Sequence, residues 1–319
     1  MEYRLLGGSG LKVPALSFGT GTFGGGNEFF KAWGSTDVEE ARRLIDICLE
    51  AGVNLFDTAD IYSDGRSEEV LGKALEGKRD RALISTKTTF RLGDGPNDVG
   101  SSRYHLRRAL EASLRRLGTD HVDLYQLHRV DPGVPLEETW GAMAETVAAG
   151  KARHIGLSEV SVDEIRRAQA VHPVTSVQSE LSLWTRDLLA EVLPYCAAQG
   201  IGVIPFSPLG RGFLTGRFSS FEDLPEDDFR RQLPRFQRDA LRANLAIVGR
   251  VRAIAERVWA TPAQVALAWV LARGPLVVPI PGTKTPKYLA ENAAAVTVEL
   301  SAADLAELGS LPAPEGTRY

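Results

Sequence analysis

Residues 53–75 read VNLFDTADIYSDGRSEEVLGKAL. An apolar run, Val53–Phe56, gives way to a polar turn and then to a stretch with helical spacing. The same order of strand, loop and helix recurs along the chain. Short apolar runs at Ala15–Phe18, Val53–Phe56, Ala82–Ser85, Val122–Leu127, His154–Leu157, Ser176–Gln178, Gly202–Pro205 and Val277–Ile280 are the strand candidates. Before the first of them, Tyr3–Leu6, GGSG and Leu11–Val13 read as a β-hairpin, because glycine adopts the positive φ of a tight turn. The segments between the strands carry helical periodicity. One places Val38, Ala41, Ile45, Cys48 and Leu49 on one side, with Thr36 and Glu39 as its predicted capping box and Gly52 beyond its end. Others group Leu188, Leu189, Val192, Leu193 and Cys196, and Leu241, Leu245, Val248, Val251, Ala255 and Val258.

Eight βα units predict an α/β fold of the (β/α)8 TIM-barrel type. Such a barrel typically needs about 250 residues. The surplus in these 319 residues corresponds to the N-terminal hairpin, a long irregular loop from Pro208 to about Arg238, and the C-terminal tail. That loop is expected to be either a functional lid or partly disordered. No linker divides the chain, so residues 1–319 read as one domain with long loops at the C-terminal face.

Hydrophobic residues make up 44% and charged residues 24%, enough for a sizeable core and too apolar for disorder. With 37 Lys and Arg against 41 Asp and Glu the net charge is −4, so nothing draws the chain to nucleic acid or anionic lipid. Two widely spaced cysteines, Cys48 and Cys196, offer no disulfide framework. MEYRLLGGSG lacks the features of a signal peptide, and no apolar run approaches the roughly 20 residues of a membrane span. A soluble, cytoplasmic protein is the expectation; the oligomeric state is open.

In such a barrel, chemistry sits where strands end. The expected strand ends carry Asp57 with Tyr62 just beyond, Lys87, His128, Ser158 and Gln178. A phenol is a poor acid at its ordinary pKa near 10, and a neighbouring ammonium is expected to lower it. Asp57 would hold Lys87 charged, and His128 would orient a substrate carbonyl. That set suits protonation of a developing alkoxide or the reverse step. Since no side chain supplies a hydride, a nicotinamide cofactor is implied.

The motifs FDTADIYSDGRSEEVLGKAL, ISTK, DLYQLH, GLSE, FSPLGRGFLTG and IPGTK…AENAAA, in this order, resemble the aldo-keto reductases over nearly the whole chain. The resemblance implies reversible NADPH-dependent reduction of an aldehyde or ketone, with NAD(H) also possible. Tyr62 would be the general acid/base, tuned by Lys87 and Asp57, with His128 orienting the carbonyl. It also implies a cofactor extended across the barrel mouth. Gly21, Thr22, Phe23 and Asp57 would lie beneath it, Ser158 and Gln178 at the carboxamide, and Phe206 stacked on the nicotinamide. Ser207, Leu209 and Gly210 would line the pyrophosphate, and Gly212 is a further expected cofactor contact. Gly282, Thr283 and Lys284 would meet the adenosine 2′-phosphate, Glu291 and Asn292 would lie near the adenine, and Ile280 and Tyr288 are further expected cofactor contacts. Phe23, Trp33, Tyr62, Phe90, His128 and Trp184 are the expected substrate pocket. Three positions depart from the family's common pattern: Glu159 stands for Asn, Phe206 for Tyr, and Tyr288 for an Arg, which leaves Lys284 and Lys287 for the phosphate.

Other readings stand beside these. Asp57 and Lys87 alone would be a structural ion pair at the rim. Gly19–Gly24 spells GxGxxG but opens no helix, which argues against a Rossmann site. His105, His121, His154 and His172 show no metal-ligand spacing, so no metal site is expected. Trp259 and Trp269 are expected in the core. Two rival functions are a non-enzymatic nicotinamide-binding regulatory subunit of the same fold and a barrel enzyme of different chemistry, such as a hydrolase using Asp57 and a second acid.

Overall fold

The computed structural model describes residues 1–25, 35–91 and 93–319. Strands β1 (Tyr3–Leu5) and β2 (Lys12–Pro14) form the antiparallel hairpin, pairing Tyr3 with Pro14 and Leu5 with Lys12. Seven parallel strands follow in sequence order: β3 (Phe18–Gly19), β4 (Leu55–Asp57), β5 (Leu83–Thr88), β6 (Val122–Leu127), β7 (Ala152–Ser158), β8 (Ser176–Glu180) and β9 (Gly202–Phe206). Ten α-helices accompany them among the described residues. They are α1 (Val38–Glu50), α2 (Arg66–Ala74), α3 (Arg103–Leu117), α4 (Leu136–Ala148), α5 (Val162–Gln169), α6 (Val192–Gln199), α7 (Arg238–Arg257), α8 (Pro262–Leu271), α9 (Pro286–Ala294) and α10 (Ala302–Gly309).

The run expected as an eighth strand closes the barrel without forming a regular ladder. Val278 and Ile280 donate to the carbonyls of Val203 and Pro205 on one side, at 2.8 and 3.0 Å. On the other side the carbonyls of Pro279 and Pro281 accept from Ser17 and Gly19, at 2.9 and 3.2 Å. Proline has no N–H to return, so the β3 side receives only half of a ladder. The close approach demands glycine on both edges. A Cβ on Gly19 would fall 2.8 Å from the Ile280 carbonyl, and one on Gly282 would fall 2.7 Å from that of Gly19.

Two layers of core result. The outer layer, between sheet and helices, includes Phe56, Tyr125, Trp140 and Trp269, all fully buried. Inside the barrel, Leu55, Leu124, Ile204, Val278 and Ile280 pack with Leu6 and Val13 of the hairpin region. The hairpin therefore plugs the end where the strands begin, and Gly8 donates to the carbonyl of Gly200 just before β9. Residues 208–238, where a lid or disorder was expected, fold as successive 3₁₀ turns that bury Phe213, Leu214, Leu224 and Phe236. No helix of the described residues is long and apolar enough to cross a membrane.

Several local expectations are corrected. The capping box of α1 is Asp37 with Glu40, one residue later than Thr36 with Glu39. Thr36 is already engaged in a parallel bridge with Phe23, which leaves the cap to its neighbour. Trp259 is 96% exposed, because the chain takes a left-handed turn there (φ 55°) between α7 and the Thr261 cap of α8. Strand β5 continues to Thr88 and β8 to Glu180, so Lys87 and Gln178 lie within strands instead of ending them. Cys48 and Cys196 are buried, as their place on the apolar side of helices implied, and burial pushes the Cys196 thiol up to about 12.

Candidate active site

Register sets the site. Asp57 ends β4 opposite Ser85, and Lys87, two residues on and on the same face, pairs with Gln126 of β6. Ser158 of β7 is the partner of Gln178 on β8. A polar layer thus sits directly above the apolar interior, at the end of the barrel opposite the hairpin.

At its centre lies a buried ion pair. Lys87 Nζ donates to Asp57 Oδ1 at 2.6 Å, to the Thr58 carbonyl at 2.7 Å and to the Tyr62 hydroxyl at 3.2 Å. Three ammonium protons thus have three acceptors. The other carboxylate oxygen of Asp57 accepts from Ser85 Oγ (2.8 Å), Gln178 Nε2 (3.0 Å) and Gln126 Nε2 (3.2 Å). An isolated charge at this depth would cost several kcal/mol, and full satisfaction is what lets the pair persist.

Burial disfavours the phenolate of Tyr62 more than Lys87 favours it, so the phenol's pKa stands above its ordinary value. The expectation that the ammonium would bring it down is corrected: the pull exists, but desolvation outweighs it. Burial also works against charge on Lys87, yet Asp57 and Tyr62 together hold its pKa above normal. His128 is pushed well below the usual imidazole range by burial, then by Lys87 and Arg129, and is neutral near pH 7. Its ring meets Tyr62 edge-on at 6.1 Å and Phe90 edge-on at 4.8 Å.

Backbone strain marks the same face. Seven described non-glycine residues have left-handed φ values, and six of them follow barrel strands: Ser63, Asp64, Thr89, Glu159, Ser207 and Arg211. Each such position costs on the order of 1–3 kcal/mol and persists only where the surroundings over-determine it.

Tyr62, Lys87, Asp57 and His128 come together as the sequence proposed. Gln178 is also there, although its amide is committed to Asp57. Phe23 and Trp184 are fully buried, so in this structure they are packing residues and not exposed walls. Phe23 lies against Phe18, and Trp184 stacks on Phe213 at 4.3 Å. Gly210 must be glycine beside that indole, because a Cβ would fall 2.7 Å from Trp184 Nε1. Gly282 and Lys284 are exposed, Tyr288 and Glu291 are half-buried, and Asn292 is buried. Trp33 lies outside the described residues. Sequence reading missed Ser85 and Gln126, although period two places them on the face of Lys87 and His128. It also missed Arg129 and the ion pairs of Glu159 and Glu180 with Arg318 near the C-terminus. Glu159 is thereby committed to a guanidinium. Among the described residues no group of three potential metal ligands assembles.

Comparison with known proteins agrees with this architecture. The model of the aldo/keto reductase family matches residues 15–312. A curated soybean (Glycine max) protein, "Probable aldo-keto reductase 1", is 42% identical over 306 residues, spanning 95% of this chain and 86% of its own. A crystal structure of a thermostable aldo-keto reductase in complex with the inhibitor epalrestat superposes with a TM-score of 0.74 at 31% identity. That match covers 97% of this chain and 99% of the other. The chain belongs to the aldo-keto reductase family. It is an NAD(P)H-dependent oxidoreductase acting on carbonyl groups.

Proposed function

We propose that the protein reduces an aldehyde or ketone to an alcohol, reversibly, with NADPH as preferred donor and Tyr62 as the acid. The observation that carries this reading is the position of Lys87 Nζ, bonded at once to Tyr62 and Asp57. The reduced nicotinamide, when bound, supplies the hydride. As negative charge grows on the carbonyl oxygen, the Tyr62 hydroxyl delivers its proton there. Lys87 stabilises the phenolate left behind, and Asp57 keeps Lys87 charged through the step. Neutral His128 donates a hydrogen bond to the same oxygen and orients it.

The mouth suits a nicotinamide cofactor. Half-buried Phe206 ends β9 and is followed by the positive-φ turn of Ser207, Gly210 and Gly212. The hydroxyl of Thr22 is buried with no partner among the described residues. Lys284 is exposed and bonds no carboxylate among them, which leaves it for a 2′-phosphate, whereas Lys287 approaches Glu291 at 3.8 Å. Arg217 brings a guanidinium 5.2 Å above the Tyr288 ring, close to where the family pattern places an arginine.

Titration of protein fluorescence with NADPH and NADH tests the cofactor half. Tight NADPH and weak NADH binding are expected, with Lys284→Met weakening NADPH roughly tenfold and leaving NADH unchanged. Equal binding of both in the wild type would overturn the preference. The acid is tested by Tyr62→Phe, which should lower carbonyl turnover by at least about 10²-fold while NADPH still binds. Retained turnover would remove Tyr62 from the role. Nicotinamide binding with no turnover on any carbonyl would favour the regulatory reading instead.

A further inference from the structure

Arg129 follows His128 at the end of β6 and belongs to none of the catalytic contacts described above. Its Nη1 donates to the His128 carbonyl at 2.5 Å and to Ser158 Oγ at 3.2 Å, which pins the guanidinium between the ends of β6 and β7. The side chain is half-buried, and its charge is felt by both Tyr62 and His128. Nε and Nη2 bond nothing among the described residues. Those two nitrogens form the side-on fork of the guanidinium, the geometry that grips a carboxylate through two parallel hydrogen bonds.

The surrounding charges sharpen the point. Lys87 is matched by Asp57, and His128 is neutral. Glu159 and Glu180 are taken by Arg318 and Arg211. Among the described residues no carboxylate lies within ion-pair distance of Arg129. Among the described residues its charge is therefore left without a carboxylate, as is that of exposed Lys284, but Arg129 alone of the two adjoins the strand end that carries His128, beside the pair Tyr62–His128. A neutral acceptor such as an amide oxygen would not require a full charge there; an anionic ligand would.

We infer that Arg129 is a specificity-determining residue, selecting carbonyl substrates that also carry a carboxylate, which its free Nε–Nη2 edge receives on the β6–β7 side of the reacting carbon. This rests on the reductase function proposed above. The bond is made equally in ground and transition states, so it should act chiefly on KM.

The test uses the three formylbenzoate isomers and their methyl esters as paired substrates, with NADPH, on wild type, Arg129→Gln and Arg129→Lys. For at least one isomer the acid-to-ester ratio of kcat/KM should fall at least tenfold in Arg129→Gln, mainly through KM, and recover in part in Arg129→Lys. Acid turnover should weaken with rising salt. On the wild type alone, benzoate should inhibit competitively with a Ki at least tenfold below that of benzamide, so the inference stays exposed even if a variant fails to fold. An unchanged ratio, or equal inhibition by benzoate and benzamide, overturns it. So does a parallel loss on acid and ester with weaker NADPH binding, which would make Arg129 a cofactor contact. Ester turnover by the wild type in any of these cases leaves the reductase reading standing. Failure of the wild type on every acid and ester, with both cofactors, would overturn the reductase reading itself.

Discussion

A tyrosine whose pKa is raised is a better fit to one direction of the reaction than to the other. With the phenol protonated throughout the neutral range, Tyr62 as the proposed acid would always have a proton to give to an alkoxide, but would accept one from an alcohol only as the phenolate. Reduction should therefore be flat from about pH 6 to 9 and fall only above the ordinary phenol value of about 10, whereas oxidation should climb over that range. Steady-state profiles in both directions, at saturating cofactor, would show this. A limb near pH 6.5 in the reduction profile would mean that His128 takes up charge, against the lowering that burial imposes on it. Lys87→Met should cost stability as well as turnover, because it deletes one member of a pair whose side chains are both almost completely buried. Asp57 is left charged and without its counter-ion, so a loss of about 3–5 kcal/mol in unfolding free energy should accompany the lost turnover. A variant that is inactive but as stable as wild type in denaturant titration would contradict that account of the pair.

The segment between β4 and α2 carries Tyr62, and beneath it lies a second buried group of charges. Glu68 accepts from Thr86 and, at 2.7 Å, from Arg116, while Asp60 is buried close by with its amide on the Lys87 carbonyl. Burial, then the charge of Glu68, pushes Asp60 up to about 8. Its folded pKa lies above the unfolded value near 4, so its contribution to stability is complete below about pH 4 and is lost as pH rises through about 8. Asp60→Asn removes that titration. Its Tm should stay nearly level between pH 6 and 9 while that of the wild type declines by several degrees, as calorimetry across that range would show. Parallel curves would mean that Asp60 ionises normally. At this scale much of the molecule was legible beforehand. Alternation and turn residues located the strands, and reading at and just past their expected ends brought out Asp57, Tyr62, Lys87 and His128, because both are properties of neighbouring residues. The Asp37 cap was not legible, because Thr36 is drawn into a bridge with Phe23, thirteen residues earlier. Neither was the direction of the Tyr62 shift, which depends on how much of the fold covers it. Arg129 was not legible either, because the role proposed for it rests on a guanidinium edge with no carboxylate beside it among the described residues, which is a property of the assembled mouth.

A barrel is open at both ends, and this one uses them differently: one mouth holds the polar layer, and the other is sealed by a hairpin that belongs to none of the parallel strands. Leu6 and Val13 are fully buried against Leu55, Leu124, Ile204, Val278 and Ile280, so the interior core is completed by residues earlier in the chain than the first barrel strand. Arg4 fixes the plug from outside. Its Nη1 donates to the carbonyls of Leu271, Gly274 and Val277, at 3.3, 3.0 and 2.7 Å, tying the hairpin to the approach of the proline-interrupted eighth strand. That strand is the weakest joint of the ring, because Pro279 and Pro281 return no N–H to β3, and the plug supports it from within and without. Leu6→Ala should cost about 2–5 kcal/mol and lower Tm by roughly 5 °C or more. Leu5→Ala, whose side chain is 48% exposed, should change Tm by no more than about 1 °C. Arg4→Met should destabilise as well, through three carbonyls that lose their donor. Because the plug and the polar layer proposed to carry the chemistry occupy opposite ends, kcat/KM per folded molecule should be unaltered in all three variants at temperatures below their transitions. Calorimetry paired with initial rates decides the matter. If Leu6→Ala proves as harmless as Leu5→Ala, the hairpin is an ornament on a barrel that closes without it; if it melts early yet turns over normally, closure of the ring and chemistry at its mouth are separately encoded.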